Sequence, residues 1–288
     1  MSAAPPGGKA VTAGSGGDAR ALDTPIGAAH PAFKELLRIR RGSTPAVDSR
    51  VVAEGLWAVQ LVLRLGVPIE RFFCCPELIH SEAARICAAA ARERARDSFS
   101  MSARSIHRVS DRDAPEGLLA LVKMPRWPLD RVRIGEHALV AVADGLENPG
   151  NLGTLLRTAD GAGVDLVMIT NGRARVSHPR VFRASHGMSL KVPHVEFAHA
   201  EDAIAWLRQH DCTVCLAAPG GGVHYRQLDA RGRTALVFGS ERFGLSPAWA
   251  EQGFRRVAIP MLGAADSLNV AAAAAVLLYE ARARKDAW

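Results

Sequence analysis

Three separated segments in the second half of the chain have the glycine, asparagine, serine and proline content of loops that carry chemistry. The first covers residues 143–163 (ADGLENPGNLGTLLRTADGAG), in which the Asn-Pro-Gly sequence at 148–150 predicts a turn. Asn151 is a candidate cap for the following helix, and Arg157 lies about two turns into it. A strand-to-helix connection that only needs a cap is the alternative, and the glycine spacing is too short for a dinucleotide or P-loop fingerprint.

The second and third segments each follow an apolar strand pattern. Residues 236–246 (LVFGSERFGLS) run from a strand into Gly239, which allows a ligand to approach the backbone closely, and Glu241, which offers one carboxylate. Residues 259–280 (IPMLGAADSLNVAAAAAVLLYE) begin with a proline that ends a strand. Ser267 or its neighbour is the candidate cap of a long alanine-rich helix, whose small side chains permit close packing on another helix.

The elements that must position these segments alternate between apolar runs and helical patterns. This alternation predicts an α/β fold with a mostly parallel sheet that is covered on both faces. Ligands bind at the carboxyl ends of the strands in such sheets, and the three segments lie there. The apolar runs cover residues 137–143, 164–170, 212–218, 235–238 and 256–259, and the helical patterns cover 151–161, 179–187, 201–209 and 268–284.

The first half of the chain predicts a smaller α/β module. Its helical patterns cover residues 54–65 and 81–95, and its apolar runs cover 71–75 and 118–122. The expected organisation is a loose tail at 1–31, the smaller domain at 32–123, a proline-containing linker at 124–136 and the larger domain at 137–288.

The composition predicts a folded protein that admits an anionic partner. Of 288 residues, 48% are hydrophobic and 23% charged, which excludes disordered, collagen-like and disulfide-stapled classes. The formal charge of +7 fits an anionic partner, although a GC-rich coding background is an equal explanation of the arginine excess. The longest apolar stretch, 270–279, is about half a membrane span. With five cysteines, no recognisable signal sequence and no metal-ligand spacing, we predict a cytoplasmic protein without a membrane or metal site.

The local charge distribution is more informative than the net charge. Residues 166–195 contain no acidic side chain, while several arginines lie within this acid-free segment. Arginine has a planar fork that suits phosphate, so the segment is a candidate anion-binding surface, with a solvated face as the alternative. The candidate contacts are Arg173, Arg175, Arg180 and Arg183.

The three segments, taken in order, resemble the three sequence motifs of the SpoU, or TrmH-type, branch of the SPOUT methyltransferases. The resemblance covers about residues 138–283, and residues 177–187 (SHPRVFRASHG) are similar to the middle helix of the family. The N-terminal module resembles a ribosomal-protein-like RNA-binding domain on residues 53–55 and 117–120. The resemblance implies a knotted, mostly parallel SPOUT sheet in the larger domain, a smaller N-terminal α/β RNA-binding domain, and a homodimer.

The activity implied by the resemblance is methyl transfer from S-adenosylmethionine to a ribose 2′-hydroxyl of RNA. The separate N-terminal module favours structured 23S rRNA as the target. Some family members confer resistance to antibiotics that bind the large ribosomal subunit, and the size and composition here are similar to those of such resistance enzymes. The alternatives are a tRNA 2′-O-methyltransferase and a catalytically silent RNA-binding protein on the same scaffold.

The resemblance also assigns roles to residues. The family gives the removal of the hydroxyl proton to the arginine that matches Arg157; because a guanidinium stays protonated, we hypothesise that Arg157 instead binds phosphate or stabilises the developing alkoxide. Helix capping or loop bracing is the alternative for the other matching polar residues. The catalytic candidates are Arg157, Asn151, Glu241, Ser267 and Asn269; the cofactor-binding candidates are Ala217, Gly239, Ile259, Pro260 and Leu268.

One pair of residues departs from the family pattern. Arg242 and Phe243 follow the matching glutamate, where the family more often has glycine or another small residue. Phe243 is a candidate for stacking on a base, with burial as the equal alternative.

Overall fold

The computed structural model describes residues 23–43, 45 and 48–286 and contains two β-sheets, one in each half of the chain. We call residues 23–123 the N-terminal unit and residues 138–286 the C-terminal unit. Among the described residues, no helix is both long enough and apolar enough to cross a membrane.

The N-terminal unit is a mixed five-stranded sheet with helices on both faces. Adjacent residues of a strand face opposite sides, so the buried Phe72 packs with one helix pair while the buried Phe73 packs with the helix that carries Phe33 and Leu36. Its elements are β1 (Thr24–Pro25), α1 (Pro31–Arg40), β2 (Arg50–Glu54), α2 (Leu56–Leu65), β3 (Ile69–Cys74), α3 (Glu82–Arg94), β4 (Ala95–Ser100), α4 (Ala103–Val109) and β5 (Leu118–Lys123).

The sheet of this unit has the order β1-β4-β3-β5-β2. Strand β4 is parallel to β1 and β3, whereas β5 is antiparallel to β2 and β3. The predicted helices and apolar runs all occur. Strands β2 and β4 and helices α1 and α4 were not predicted, because these short segments mix apolar and charged residues.

Order begins earlier in the chain than the predicted boundary near residue 32. Residues 1–22 lie outside the described residues, but β1 pairs with β4, and the Asp23 carboxylate accepts hydrogen bonds from Arg92 (2.7 and 2.6 Å) and Ser98. Ile26 is buried as well. The tail prediction is therefore wrong for residues 23–31. The composition of this segment does not reveal that its Asp23 pairs with Arg92, which lies 69 positions later in the chain.

The C-terminal unit follows the predicted alternation of strands and helices. The chain between the units packs on it, since Trp127 contacts the His194 ring with centroids 4.5 Å apart. Its elements are β6 (Leu139–Asp144), α5 (Pro149–Gly161), β7 (Leu166–Thr170), α6 (Pro179–Ala184), β8 (His194–Phe197), α7 (Ala200–Gln209), β9 (Thr213–Ala217), β10 (Val223–His224), β11 (Thr234–Phe238), α8 (Pro247–Ala250), β12 (Arg255–Ala258) and α9 (Val270–Asp286).

The sheet of the C-terminal unit has the order β10-β12-β9-β11-β6-β7-β8, and every neighbouring pair is parallel. Leu139, Ala141 and Ala143 of β6 join the core cluster that includes α5 and α9, while Val140 and Val142 join the one that includes α7 and α8. This confirms the prediction of an α/β unit with a mostly parallel sheet. The short elements β8, β10 and α8 were not predicted because none has a long apolar run.

Strand β11 lies between β9 and β6 and brings distant loops together. The chain moves outward from β6 through β7 to β8, then crosses to β9 and returns to place β11 beside β6. The loops that follow β6 and β11 therefore leave the same edge of the sheet side by side, at a topological switch point.

Candidate active site at the carboxyl ends of the parallel strands

The helix that follows β6 is capped by a different residue from the one predicted. Asn148 is the N-cap of α5, where its Oδ1 accepts a hydrogen bond from the Gly150 N–H at 2.8 Å and Pro149 occupies the first turn. Asn151 therefore lies inside the first turn, because the Pro-Gly pair begins the helix earlier than the sequence pattern indicates. Its side chain does not cap the helix and can form hydrogen bonds with residues of other loops.

Three of the predicted catalytic residues form one chain of hydrogen bonds. The Asn151 Nδ2 group donates to the Glu241 carboxylate, and Asn269 Nδ2 donates to Asn151 Oδ1 at 3.3 Å. Asn269 also caps α9, since its Oδ1 accepts from the Ala271 N–H at 3.0 Å, so Ser267 is not the cap. All three predicted segments thus contribute one polar side chain to the same place.

The loop that carries Glu241 is anchored by a residue that the sequence analysis did not single out. Asp144, the last residue of β6, is 1% exposed, and its Oδ2 accepts from the Ser246 N–H at 2.7 Å. Its Oδ1 accepts from Thr170 Oγ1 at 2.9 Å and Asn171 Nδ2 at 2.8 Å. An acidic residue that ends an otherwise apolar strand is the signal that could have identified this anchor.

A cavity of about 630 Å³ opens beside this hydrogen-bonded chain. Of the predicted cofactor-binding residues, Ala217, Gly239, Ile259 and Leu268 line it, whereas Pro260 lies between two lining residues and does not line it. The wall is made largely of small and apolar residues at the ends of β9, β11 and β12. Its charged lining residues are Glu241, Arg256 and Asp266.

Only glycine fits at position 239 of the cavity wall. A Cβ atom at this position would collide with the backbone of Gly244 and Leu245, which belongs to the same loop. The backbone of the loop therefore folds directly against the end of β11, and any larger residue would displace the wall.

Arg157 and Ser267 differ in their relation to the cavity. Ser267 lines it, is exposed and donates a hydrogen bond to Asp266 at 3.3 Å. Arg157 is exposed on α5, and its guanidinium makes no hydrogen bond or ion pair with the residues that the structure describes. The structure thus leaves the Arg157 fork available to a bound group.

The four arginines of the acid-free segment divide into two pairs. Arg175 donates to the carbonyl oxygen of Pro45 at 2.9 Å, and Arg183 pairs with Asp111, so both bind the N-terminal unit. Arg173, at 68% exposed, pairs with Glu147 beside the site. Arg180 is exposed, and its guanidinium makes no ion pair with the part of the chain that the structure describes.

The contact between the two units continues around α6. Its N-cap, His178, accepts a hydrogen bond from the Arg180 N–H at 3.1 Å through Nδ1. Burial, together with the charges of Arg175 and Arg180, lowers the pKa of His178, which favours the neutral form that accepts this bond. The Trp57 ring meets the His186 ring edge-on, with centroids 5.6 Å apart. Part of the expected anion-binding surface therefore orients the N-terminal unit.

Within the described residues, no cluster of three or more histidine, cysteine, aspartate or glutamate side chains is suited to hold a metal ion. The arrangement can instead bind a small ligand in a cavity that backbone groups line, and present polar side chains and a guanidinium beside it. This suits transfer of an already activated group, for which positioning is the main requirement.

Comparison with known proteins agrees with this geometry. Residues 138–279 match the model of the SpoU rRNA methylase family. The chain is 30% identical to a 23S rRNA (guanosine(2553)-2′-O)-methyltransferase of Bacillus subtilis over 64% of this chain and 72% of that protein. It is 33% identical to a 23S rRNA (uridine(2479)-2′-O)-methyltransferase of Streptomyces viridochromogenes over 59% of this chain and 61% of that protein.

A solved structure extends the similarity to both units. The SpoU methyltransferase AviRb from Streptomyces viridochromogenes, in complex with the cofactor AdoMet, superposes with a TM-score of 0.78 at 25% identity. The match covers 88% of this chain and 97% of that one. The chain therefore belongs to the SpoU rRNA methylase family.

Proposed function

We propose that this protein is an S-adenosylmethionine-dependent RNA methyltransferase that methylates a ribose 2′-hydroxyl in 23S rRNA. The observation that carries the proposal is the convergence of Asn151, Glu241 and Asn269 beside the cavity, at the switch point of a parallel sheet. The two curated relatives described above are 23S rRNA 2′-O-methyltransferases, which supports the same substrate class.

The cavity fits the proposed cofactor. Its volume of about 630 Å³ is within the range of small-molecule sites, and its wall at Gly239 has no room for a side chain. Ala217, Ile259 and Leu268 would hold the cofactor through apolar contact and neighbouring backbone groups. The similar protein AviRb was solved in complex with AdoMet, which supports the choice of cofactor. When bound, this cofactor supplies a methyl group that its sulfonium centre already activates.

The side chains around the cavity then have to place one hydroxyl oxygen and help it lose a proton. Asn151 is held by Glu241 on one side and by Asn269 on the other, so its amide is fixed in a position to bind the ribose. Arg157 binds an adjacent phosphate or the developing alkoxide, because a guanidinium cannot accept the proton. The proton leaves through Glu241 or a water molecule, and Ser267 binds the phosphate or the reacting hydroxyl.

The architecture of the whole enzyme is part of the proposal. The N-terminal unit would act as the RNA-binding domain, oriented by the contacts of Arg175 and Arg183. We propose that the C-terminal unit contains the trefoil knot of the SPOUT enzymes and that two copies form a homodimer. Val276 and Tyr279, one turn apart on α9, expose apolar surface that supports the dimer.

The test uses a radiolabelled methyl donor with three RNAs: large-subunit rRNA, small-subunit rRNA and tRNA. Labelling of large-subunit rRNA, mapped to a single ribose, is expected. Labelling of tRNA alone would replace the proposal with the tRNA alternative. Absence of S-adenosylmethionine binding at millimolar concentration would instead favour a silent RNA-binding protein.

A resistance role is tested separately in a sensitive host. If the methylated ribose lies in an antibiotic site of the large subunit, expression of the enzyme raises the inhibitory concentration of that antibiotic, while an Arg157→Ala variant does not. An unchanged inhibitory concentration across large-subunit antibiotics would assign the methylation to ribosome maturation.

A further inference from the structure

We propose that Phe243 and the two arginines beside its ring, Arg173 and Arg242, form a platform on which a nucleobase of the substrate RNA stacks. The inference rests on the proposed function and names the part of the site that holds a base next to the reacting ribose. It is carried by the conformation of one loop, the exposure of one ring and the charges around it.

The loop is a closed and rigid turn. Ser240 and Gly244 exchange two backbone hydrogen bonds of 2.9 Å each, so residues 241–243 form its tip. The Phe243 N–H donates to Ser240 Oγ at 3.0 Å, and Asp144 holds the following backbone through Ser246. The backbone that carries Phe243 is therefore held in place, so binding to this tip costs little backbone entropy.

The ring on this tip is open to solvent, and two guanidinium groups lie over it. Phe243 is 63% exposed, although it lies close to a packed cavity wall. The Arg242 guanidinium carbon is 5.1 Å from the ring centroid and that of Arg173 is 5.9 Å away, both within cation–π distance. Arg242 makes no ion pair with the residues that the structure describes, so its charge is available to a phosphate.

The position of the platform relative to the site indicates what it binds. Phe243 lies two residues after Glu241, which accepts from Asn151, and Arg173 is tied to Glu147 in the loop that leads to α5. The platform therefore stands at the rim of the proposed ribose site. RNA brings a flat base and an anionic phosphate together on each nucleotide, and an aromatic ring flanked by guanidinium groups complements both.

The experiment measures RNA binding and methylation for matched variants. Phe243→Ala and Phe243→Leu both remove the aromatic face, and Phe243→Trp keeps it. Phe254→Leu is the control, because it removes another ring of the C-terminal unit that has an arginine, Arg208, over its face. We expect the first two to weaken binding of the substrate rRNA fragment at fixed salt by roughly 5- to 100-fold. Phe243→Trp should bind RNA as wild type does, and S-adenosylmethionine affinity should stay unchanged in all four.

Several results would overturn the inference. RNA affinity of Phe243→Leu equal to that of wild type would show that stacking contributes nothing. A change in oligomeric state on Phe243→Ala, seen by light scattering, would place the ring between two copies of the chain. If the wild-type protein binds S-adenosylmethionine and RNA but transfers no methyl group, the proposed function fails, and the binding data still decide whether the platform exists.

Discussion

The two units of the molecule use their buried carboxylates in opposite ways. In the N-terminal unit, buried carboxylates have arginine partners: Asp23 pairs with Arg92, and Glu54 pairs with Arg40. At the carboxyl ends of the C-terminal strands, the buried Asp144 accepts only from neutral donors among the described residues. Ion pairs thus fix the scaffold of one unit, whereas a carboxylate without a counterion positions a loop in the other.

The exposed charges of the site continue this difference. Arg157, Glu241 and Arg242 make no ion pair with the residues described by the structure. A charge that is already paired must break that pair before it binds substrate, whereas an unpaired charge at a sheet edge can bind at once. We therefore expect the arginines most useful for catalysis to be those without internal partners, and the following predictions test this expectation.

The largest effect is expected at Arg157. Arg157→Ala should lower kcat by about 100-fold or more, because it removes a charged donor at the reacting hydroxyl. Single-turnover methylation measures this, and cofactor affinity should not change. Arg208→Ala, an exposed arginine on α7 that pairs with Gln252, is the control. Near-parental activity of Arg157→Lys would remove the case for a fork-shaped contact.

The next effect concerns the anchor of the Glu241 loop. Asp144→Ala should lower the free energy of unfolding by about 3 kcal/mol, since it leaves the donors of Thr170, Asn171 and Ser246 without their acceptor. Urea unfolding measures the change, and Asp144→Asn, which keeps the shape and one acceptor, should lose less. An Asp144→Ala protein as stable as wild type would contradict the anchoring role.

A pH-dependent effect is expected from the paired carboxylate. Burial acts to raise the pKa of Asp23, but hydrogen bonds from Arg92, Cys74 and Ser98 and the charge of Arg92 outweigh it and lower the pKa to about 2. The unfolded state therefore binds more protons between about pH 4 and pH 2, so this stabilisation is complete above pH 4 and is lost as the pH falls through that window.

Asp23→Asn should thus lower the free energy of unfolding by about 2 kcal/mol at pH 7 and by much less near pH 2. Urea unfolding at both pH values measures it. Asp97→Asn is the control, because Asp97 on the same sheet is 46% exposed and its ion pair with Arg71 contributes less than about 1 kcal/mol. A difference that persists unchanged at pH 2 would argue against the ion pair as the cause.

The smallest effects separate the two kinds of arginine in the acid-free segment. Arg183→Ala should lower the free energy of unfolding by less than about 1 kcal/mol, because its pair with Asp111 is half exposed and Asp111 keeps its second partner, Arg40. Arg180→Ala should leave stability unchanged and reduce the slope of log affinity for RNA against log salt by about 1. Equal salt slopes for wild type and Arg180→Ala would remove Arg180 from the RNA surface.

The sequence predicted the parallel sheet because the signals for strands and helices are local: the continuous apolar run that became β11 and the long alanine-rich stretch that became α9 are each recognisable by themselves. It also predicted which loops come together at the strand ends. Gly239 and the Asn-Pro-Gly sequence at 148–150 are typical of tight turns and close backbone contacts, so they identified these loops. It misplaced both helix caps by two or three residues. Several polar residues near each helix start are able to act as N-caps, and the backbone geometry decides that Asn148 and Asn269 do so.

What the sequence by itself determined is the class of fold, the position of the chemistry at strand ends and the polar residue types available there. Only the tertiary structure decided how these residues are used. The insertion of β11 beside β6 joined Glu241 to Asn151. The docking of the N-terminal unit gave Arg175 and Arg183 partners in that unit, while Arg180 makes no ion pair with the described residues. The physical reason is that a local pattern fixes a backbone, whereas the partner of a charge is set by segments far away in the chain.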